Sequence, residues 1–266
     1  MSERDGYQHG VPCWVDTWQP DADAAAAFYA GIFGWEVRSG SPAGTESRYD
    51  LCTVQGSDVA AIGSPPPEGA APAWTTYVWV DDADAAAATA ADAGGSVVTA
   101  PFASLDGGRM AIVTDPAGAL LGLWQPGAHR GAQRVNEPSA YAMSLLHTPE
   151  TAAAAAFYAD LFGWTTEAFG PATMFRLPGF VGGEPEQPVP RDVVAAMVPA
   201  AEGEPARWAV NFWIADADGA AQRAPGLGGT VVAGPYDAPP FREAVLADPA
   251  GATFSVSTLQ LDQLGQ

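Results

Sequence analysis

Pro20-Asp21-Ala22-Asp23-Ala24, followed by Phe28-Tyr29-Ala30-Gly31-Ile32-Phe33-Gly34-Trp35, decides the reading of this chain because it occurs twice. The second occurrence is Pro149-Glu150-Thr151, followed by Phe157-Tyr158-Ala159-Asp160-Leu161-Phe162-Gly163-Trp164. Gly34 and Gly163 stand 129 positions apart. Working outward, Trp74…Asp82-Ala83-Asp84 returns as Trp208…Asp216-Ala217-Asp218, and Gly94-Gly95 as Gly228-Gly229, both 134 positions on. Asp115-Pro116-Ala117-Gly118 returns as Asp248-Pro249-Ala250-Gly251, shifted by 133. One order of matches at a nearly constant spacing marks a tandem duplication. The extra residues of the second copy are expected in the Pro-rich stretch 182–190. The copies are read as residues 8–127 and 138–262, joined by a polar linker at 128–137.

Within copy one, 13–18 reads as a strand, and Asp21 caps a helix over 22–33 made of good helix formers. Phe28 and Ile32 lie one turn apart on its buried face, and Gly34 stops it. Strands follow at 35–38, 48–54 and 59–63. A second unit repeats the plan: strand 75–80, helix 82–93 stopped by Gly94-Gly95, strands 96–102, 109–114 and 119–124. Each copy is therefore two βαβββ units, and the chain carries four. No Gly-rich loop follows a strand, so a phosphate cradle is not expected.

Composition removes whole classes. Eleven basic residues, all arginine, face 31 Asp and Glu across 266 residues, for a net charge of −20. Such a surface repels nucleic-acid phosphates and anionic membranes. No apolar stretch of about 18 residues is present, and Met1–Gly10 lacks the basic start and apolar run of a signal peptide. A cytoplasmic globular protein is expected. Cys13 and Cys52 are too few for a disulfide framework or a cysteine zinc site and read as buried thiols.

The pattern Asp…Phe-Tyr…Phe-Gly-Trp with a later Asp-Pro-x-Gly and a final strand resembles the vicinal oxygen chelate superfamily, the glyoxalase, bleomycin-resistance and extradiol-dioxygenase group. It is most similar to two-domain glyoxalase-like proteins of high-GC bacteria. The resemblance covers nearly the whole chain, twice. It implies an α+β fold of tandem glyoxalase-like domains, with four βαβββ units whose mixed sheets curl around a ligand. It also implies three metal ligands per copy, at fixed distances from the helix-opening Asp residues and from Asp-Pro-x-Gly. Those positions are Trp14, Thr75 and Gly122 in copy one, and Met143, Ala209 and Ser255 in copy two. None is His, Gln, Glu or Asp, and His9, His129 and His147 do not rebuild a cluster. No metal and no other cofactor is expected.

Side chains alternate along strands, so the ligand positions mark the inward parity. Copy one then turns Trp14, Asp16, Trp18, Tyr77, Trp79 and Trp124 inward. Copy two turns in Met143, His147, Asn211, Trp213 and Ser255. Six of the nine Trp fall in copy one: Trp14, Trp18, Trp35, Trp74, Trp79 and Trp124. These rings either fill a barrel that lost its metal or form a slot for a flat, apolar ligand. The bleomycin-resistance branch of the resembled family sequesters drugs without metal. The expected function is accordingly binding of an aromatic metabolite or antibiotic. The alternative is a metal-independent isomerase, lyase or cyclase with Asp16 or His147 as the acid–base group. A metal-dependent glyoxalase or dioxygenase is the reading that the substituted ligand positions oppose. Arg109 and Arg242, each six residues before Asp-Pro, read as paired-charge anchors. The expected partner is an aromatic small molecule, and the chain is expected to be a monomer or weak homodimer.

Overall fold

The computed structural model describes residues 3–41, 47–104, 107–182 and 190–260. In copy one the elements are β1 (Pro12–Trp18), α1 (Ala22–Phe33), β2 (Glu36–Ser39), β3 (Arg48–Val54), β4 (Ser57–Ser64), β5 (Trp74–Trp79), α2 (Ala83–Asp92), β6 (Ser96–Ala103), β7 (Arg109–Thr114) and β8 (Leu120–Gln125). Copy two follows with β9 (Tyr141–Thr148), α3 (Thr151–Phe162), β10 (Thr165–Phe169), β11 (Ala172–Arg176), β12 (Val193–Pro199), β13 (Arg207–Trp213), α4 (Ala217–Arg223), β14 (Thr230–Ala238), β15 (Phe241–Ala247) and β16 (Thr253–Leu259). This is an α+β fold with each copy built as βαβββ-βαβββ. The two units of a copy share one eight-stranded mixed sheet, ordered β2-β3-β4-β1-β5-β8-β7-β6 and β10-β11-β12-β9-β13-β16-β15-β14. Each curled sheet therefore forms within its own copy. The insertion expected at 182–190 falls mostly outside the described residues.

Local chemistry sets the helix ends. Asp21 accepts from the N–H groups of Asp23 and Ala24, and Gly34 takes the left-handed conformation (φ 73°) that closes α1. Asp82 and Gly94 do the same work around α2. Glu150, the counterpart of Asp21, makes no side-chain cap to α3. Arg109 pairs with Asp84 and Arg242 with Asp218, so each strand-opening arginine ties β7 or β15 to the first turn of the preceding helix.

The repeated motifs turn out to be the contacts that lock one copy to the other. Tyr29 donates its hydroxyl to Asp248 at 2.9 Å, and Tyr158 donates to Asp115 at 3.3 Å. The indole of Trp35 donates to the Ser139 carbonyl, and that of Trp164 to the Gly10 carbonyl, each at 2.7 Å and each just ahead of the other copy's first strand. Gly229 leaves room for the Phe28 ring and Gly95 for the Phe157 ring; a Cβ there would stand 2.4 Å and 2.8 Å from those rings. Helix α1 consequently packs on α4 and α2 on α3. Tyr29, Phe33, Trp35 and Trp74 join Phe212 and Phe254 in one ring cluster across the join. Trp35 and Trp74 thus belong to the core between the copies, on the outer face of the sheets, and not to the curl. Cys13 and Cys52 are buried free thiols. Among the described residues, no helix is long and apolar enough to cross a membrane.

Candidate functional site in the curl of copy one

The curl of copy one encloses a cavity of about 320 Å3. Trp14, Asp16 and Trp18 reach it from β1, Tyr77 from β5 and Trp124 from β8, the inward parity that alternation demands. Glycines make the space. A Cβ on Gly63 would lie 2.5 Å from the Trp18 ring, one on Gly108 2.6 Å from Trp124, and one on Gly122 2.1 Å from Tyr77. None of those side chains could hold its place against a larger neighbour.

Asp16 is 2% exposed and is the sole carboxylate among the described residues of the wall. Its Oδ2 accepts from Tyr77 Oη at 3.0 Å and Tyr49 Oη at 3.1 Å. Tyr49 in turn accepts from Trp14 Nε1 at 2.9 Å. Asp16 Oδ1 has no partner among the described residues. Burial pushes this carboxyl up to about 7, while the hydroxyls of Tyr77 and Tyr49 and the Trp18 indole pull it partly back. Burial also raises the phenols of Tyr49 and Tyr77, with the facing Asp16 carboxylate adding to the effect. Both phenols therefore stay protonated as donors at neutral pH.

Several wall residues escaped the sequence reading. Tyr49 and Leu51 come from β3, Met110 from β7 and Phe102 from the edge strand β6. Alternation along β3 would have offered Tyr49 and Leu51 as one face, but no motif anchors that strand's parity. His129, assigned to the linker, instead turns into the cavity, its ring edge-on to Trp14 at 4.3 Å and to Trp124 at 5.6 Å. The segment around it is pinned, with the Ala132 N–H on the Cys13 carbonyl at 2.8 Å. Trp79, expected inward, does not line the cavity. It lies beneath the N-terminal arm, beside the Tyr7 ring and under the Arg130 guanidinium.

The copy-two residues occupy a separate face. Met143 borders a second cavity of about 60 Å3 against the N-terminal arm. Asn211 donates from Nδ2 to Ser255 Oγ and accepts at Oδ1 from Ser257 Oγ, both at 2.8 Å. His147 is half-buried, and burial together with the Arg207 charge lowers its pKa below the ordinary histidine value. Trp213 pairs with Phe241 at 6.3 Å.

A fold of this kind, two curled βαβββ sheets with a cavity inside the curl, defines a class, and the comparisons place the chain in it. Residues 14–123 match the glyoxalase/bleomycin resistance protein/dioxygenase superfamily, and residues 130–257 match the glyoxalase-like domain. The chain belongs to this superfamily, in two tandem copies. It is 39% identical over 260 residues (96% of this chain and 97% of the relative) to CFP32 of Mycobacterium tuberculosis, whose name assigns it provisionally to the glyoxylases. It is 34% identical over 266 residues, 94% of each chain, to the anthracycline biosynthesis protein DnrV of Streptomyces peucetius. The Mn(II)-bound glyoxalase of Novosphingobium aromaticivorans has the same fold, with a TM-score of 0.65 at 20% identity over 96% of this chain and 83% of that one.

The metal of that fold family does not fit the residues here. A hard divalent ion needs converging carboxylate, imidazole or comparable donors. The six corresponding positions supply an indole, a glycine, a thioether, an alanine and two hydroxyls, those of Thr75 and Ser255. In copy one the third position is closed sterically too, since any side chain on Gly122 would strike Tyr77. Among the described residues no group of three or more His, Cys, Asp or Glu gathers as a metal site.

Proposed function

We propose that this protein binds a flat, largely aromatic small molecule in the copy-one cavity and holds it between ring faces. One observation carries the reading: an enclosed volume of about 320 Å3 walled by Trp14, Trp18, Tyr49, Tyr77 and Trp124 around one carboxyl. Indole and phenol rings grip planar ligands by stacking with little loss of side-chain freedom. The relative named for anthracycline biosynthesis supports a polycyclic aromatic ligand. The reading needs no metal, because the positions that would hold one carry no carboxylate or imidazole. It is compatible with a monomer, since the duplication supplies the interlock within one chain.

Intrinsic Trp fluorescence tests it. Titration with a panel of three- and four-ring aromatic compounds should give saturable quenching. Trp14→Ala and Trp124→Ala should each weaken binding about 10- to 100-fold, and Trp213→Ala should leave it unchanged. No saturable quenching across the panel overturns the reading.

A second reading is favoured by one specific feature. A buried carboxyl held near pH 7 on a cavity wall is matched to general acid–base work. On that reading Asp16 moves a proton on the bound aromatic compound, in an isomerase, lyase or cyclase step. Asp16→Asn would then keep binding and lose turnover. His147 lies outside this cavity, on the other copy, and supports the reading less.

A further inference from the structure

The cavity has a charge problem that its own residues do not solve. Buried carboxylates are ordinarily met by a cation, because an isolated charge out of water is costly. All eleven basic side chains of this chain are arginines, all eleven lie among the described residues, and none borders the cavity. Arg48, next in sequence to Tyr49, turns away to bond Asp23 and Asp50. The groups facing Asp16 are the hydroxyls of Tyr49 on β3 and Tyr77 on β5, the Trp18 ring on its own strand, and its register partners Ala61 on β4 and Thr75 on β5. His129 stands on the same wall, edge-on to Trp14. Two hydroxyls satisfy Oδ2, and Oδ1 has no partner among the described residues. The wall around this carboxyl carries three indoles and two phenols, ring systems whose faces attract a cation through their quadrupoles. An aromatic box with a single unmatched carboxylate is complementary to a positively charged ligand.

We propose that the copy-one cavity selects an aromatic ligand carrying a protonated nitrogen, with the cationic N–H group set against Asp16 and the ring system stacked on the surrounding indoles. The proposal rests on the binding reading above and adds the ligand's charge. The net charge of −20 also draws cations toward the protein. Because burial holds this carboxyl near pH 7, a cationic ligand must release the Asp16 proton to gain its partner. Its affinity therefore rises with pH through that region, with proton release on binding below it.

The probes are 9-aminoacridine, a cation at neutral pH, and acridone, a neutral compound of the same three-ring shape. Calorimetry and Trp quenching on the full chain should show 9-aminoacridine bound about tenfold or more tightly than acridone. Asp16→Asn, which keeps the side-chain shape, should erase that preference and leave acridone affinity unchanged. Melting curves confirm that the variant is folded. In the wild type, calorimetry in buffers of different ionisation enthalpy should detect the released proton, and Asp16→Asn should abolish it. That control separates Asp16 from His129. Equal affinity of the wild type for the two probes overturns the charge assignment while leaving the binding reading intact. So does a cation preference that survives in Asp16→Asn. Failure of both probes to bind overturns both.

Discussion

The two copies share their backs and differ in their hollows. On the outer faces the same residues recur in exchange: Tyr29 with Asp248 and Tyr158 with Asp115, the Trp35 and Trp164 indoles on opposite carbonyls, and Gly95 and Gly229 under opposite phenylalanines. On the inner faces almost nothing recurs. Trp14, Asp16, Trp18 and Tyr77 correspond to Met143, Leu145, His147 and Asn211, and Trp124 corresponds to Ser257. Copy one buries four of its five around a cavity, Trp18 being partly exposed, while four of the five copy-two residues remain partly exposed, Ser257 being the buried one. The repeat thus records what the fold requires, and the departures from it record what the site requires. A buried, unpaired carboxylate is an expense that a purely structural strand would not keep, and Leu145 shows that the strand does not need it.

The largest effects should fall on the shared side and should be equal between copies. Tyr29→Ala and Tyr158→Ala each remove a fully buried ring from the join, which costs about 3–5 kcal/mol. Urea unfolding should show that loss in both, in a single transition, because each tyrosine belongs to both copies at once. Two separated transitions would break the comparison at its root.

The next effect belongs to copy one alone. Asp16 carries a folded-state pKa of about 7 against an ordinary 3.8. The folded state therefore holds the proton that the unfolded chain has released. Stability falls as pH rises between those two values and levels off above about 7. The shift is worth on the order of 4 kcal/mol at about 1.4 kcal/mol per unit. Asp16→Asn should flatten this fall and leave the protein more stable than wild type above pH 7. Chemical denaturation across that range checks it. An unchanged slope would mean that the carboxylate is already matched by a cation.

A smaller asymmetry is hidden in the interlock itself. Asp248 Oδ2 accepts from Gln19 at 2.6 Å as well as from Tyr29, whereas Tyr158 is the partner found for Asp115 Oδ2. Thr148 stands where a second Gln19 would be. Tyr158→Phe should therefore cost about 1–3 kcal/mol, and Tyr29→Phe less, in the same unfolding assay.

What could be read from the sequence follows the same division. The helix caps and the βαβββ order were legible because Asp21, Gly34 and the Asp-Pro-x-Gly turns act through local chemistry and occur twice; which units share a sheet was not, since strand pairing between units is long-range. The inward residues of β1, β5 and β8 were legible by alternation, except where an arm covers the strand end, as at Trp79. Tyr49, Phe102, Met110 and His129 were not, since they reach the cavity only through sheet curl and the path of the join. Trp counting misled for a related reason: Trp35 and Trp74 have counterparts in Trp164 and Trp208, so they belong to the repeat and not to the difference.

The finest distinction between the hollows is a packing exchange that can be reversed. Tyr77 fits in copy one because its neighbour on β8 is Gly122, where a Cβ would stand 2.1 Å from the ring. In copy two the same register pairs Asn211 with Ser255, a smaller side chain beside a larger one, joined by a 2.8 Å hydrogen bond. Asn211→Tyr alone should crowd Ser255 and leave Ser257 without its acceptor, a loss of about 1 kcal/mol on a partly exposed face. Adding Ser255→Gly should restore the space and recover part of that loss, although glycine alone weakens a strand. A double-mutant cycle by urea denaturation reads the coupling, expected to be favourable by about 0.5–1 kcal/mol. Additive behaviour would show that the tyrosine–glycine pair of copy one is not a packing unit. Its two members would then have to be explained separately, Tyr77 by its bond to Asp16 and Gly122 by the space it leaves to the ligand.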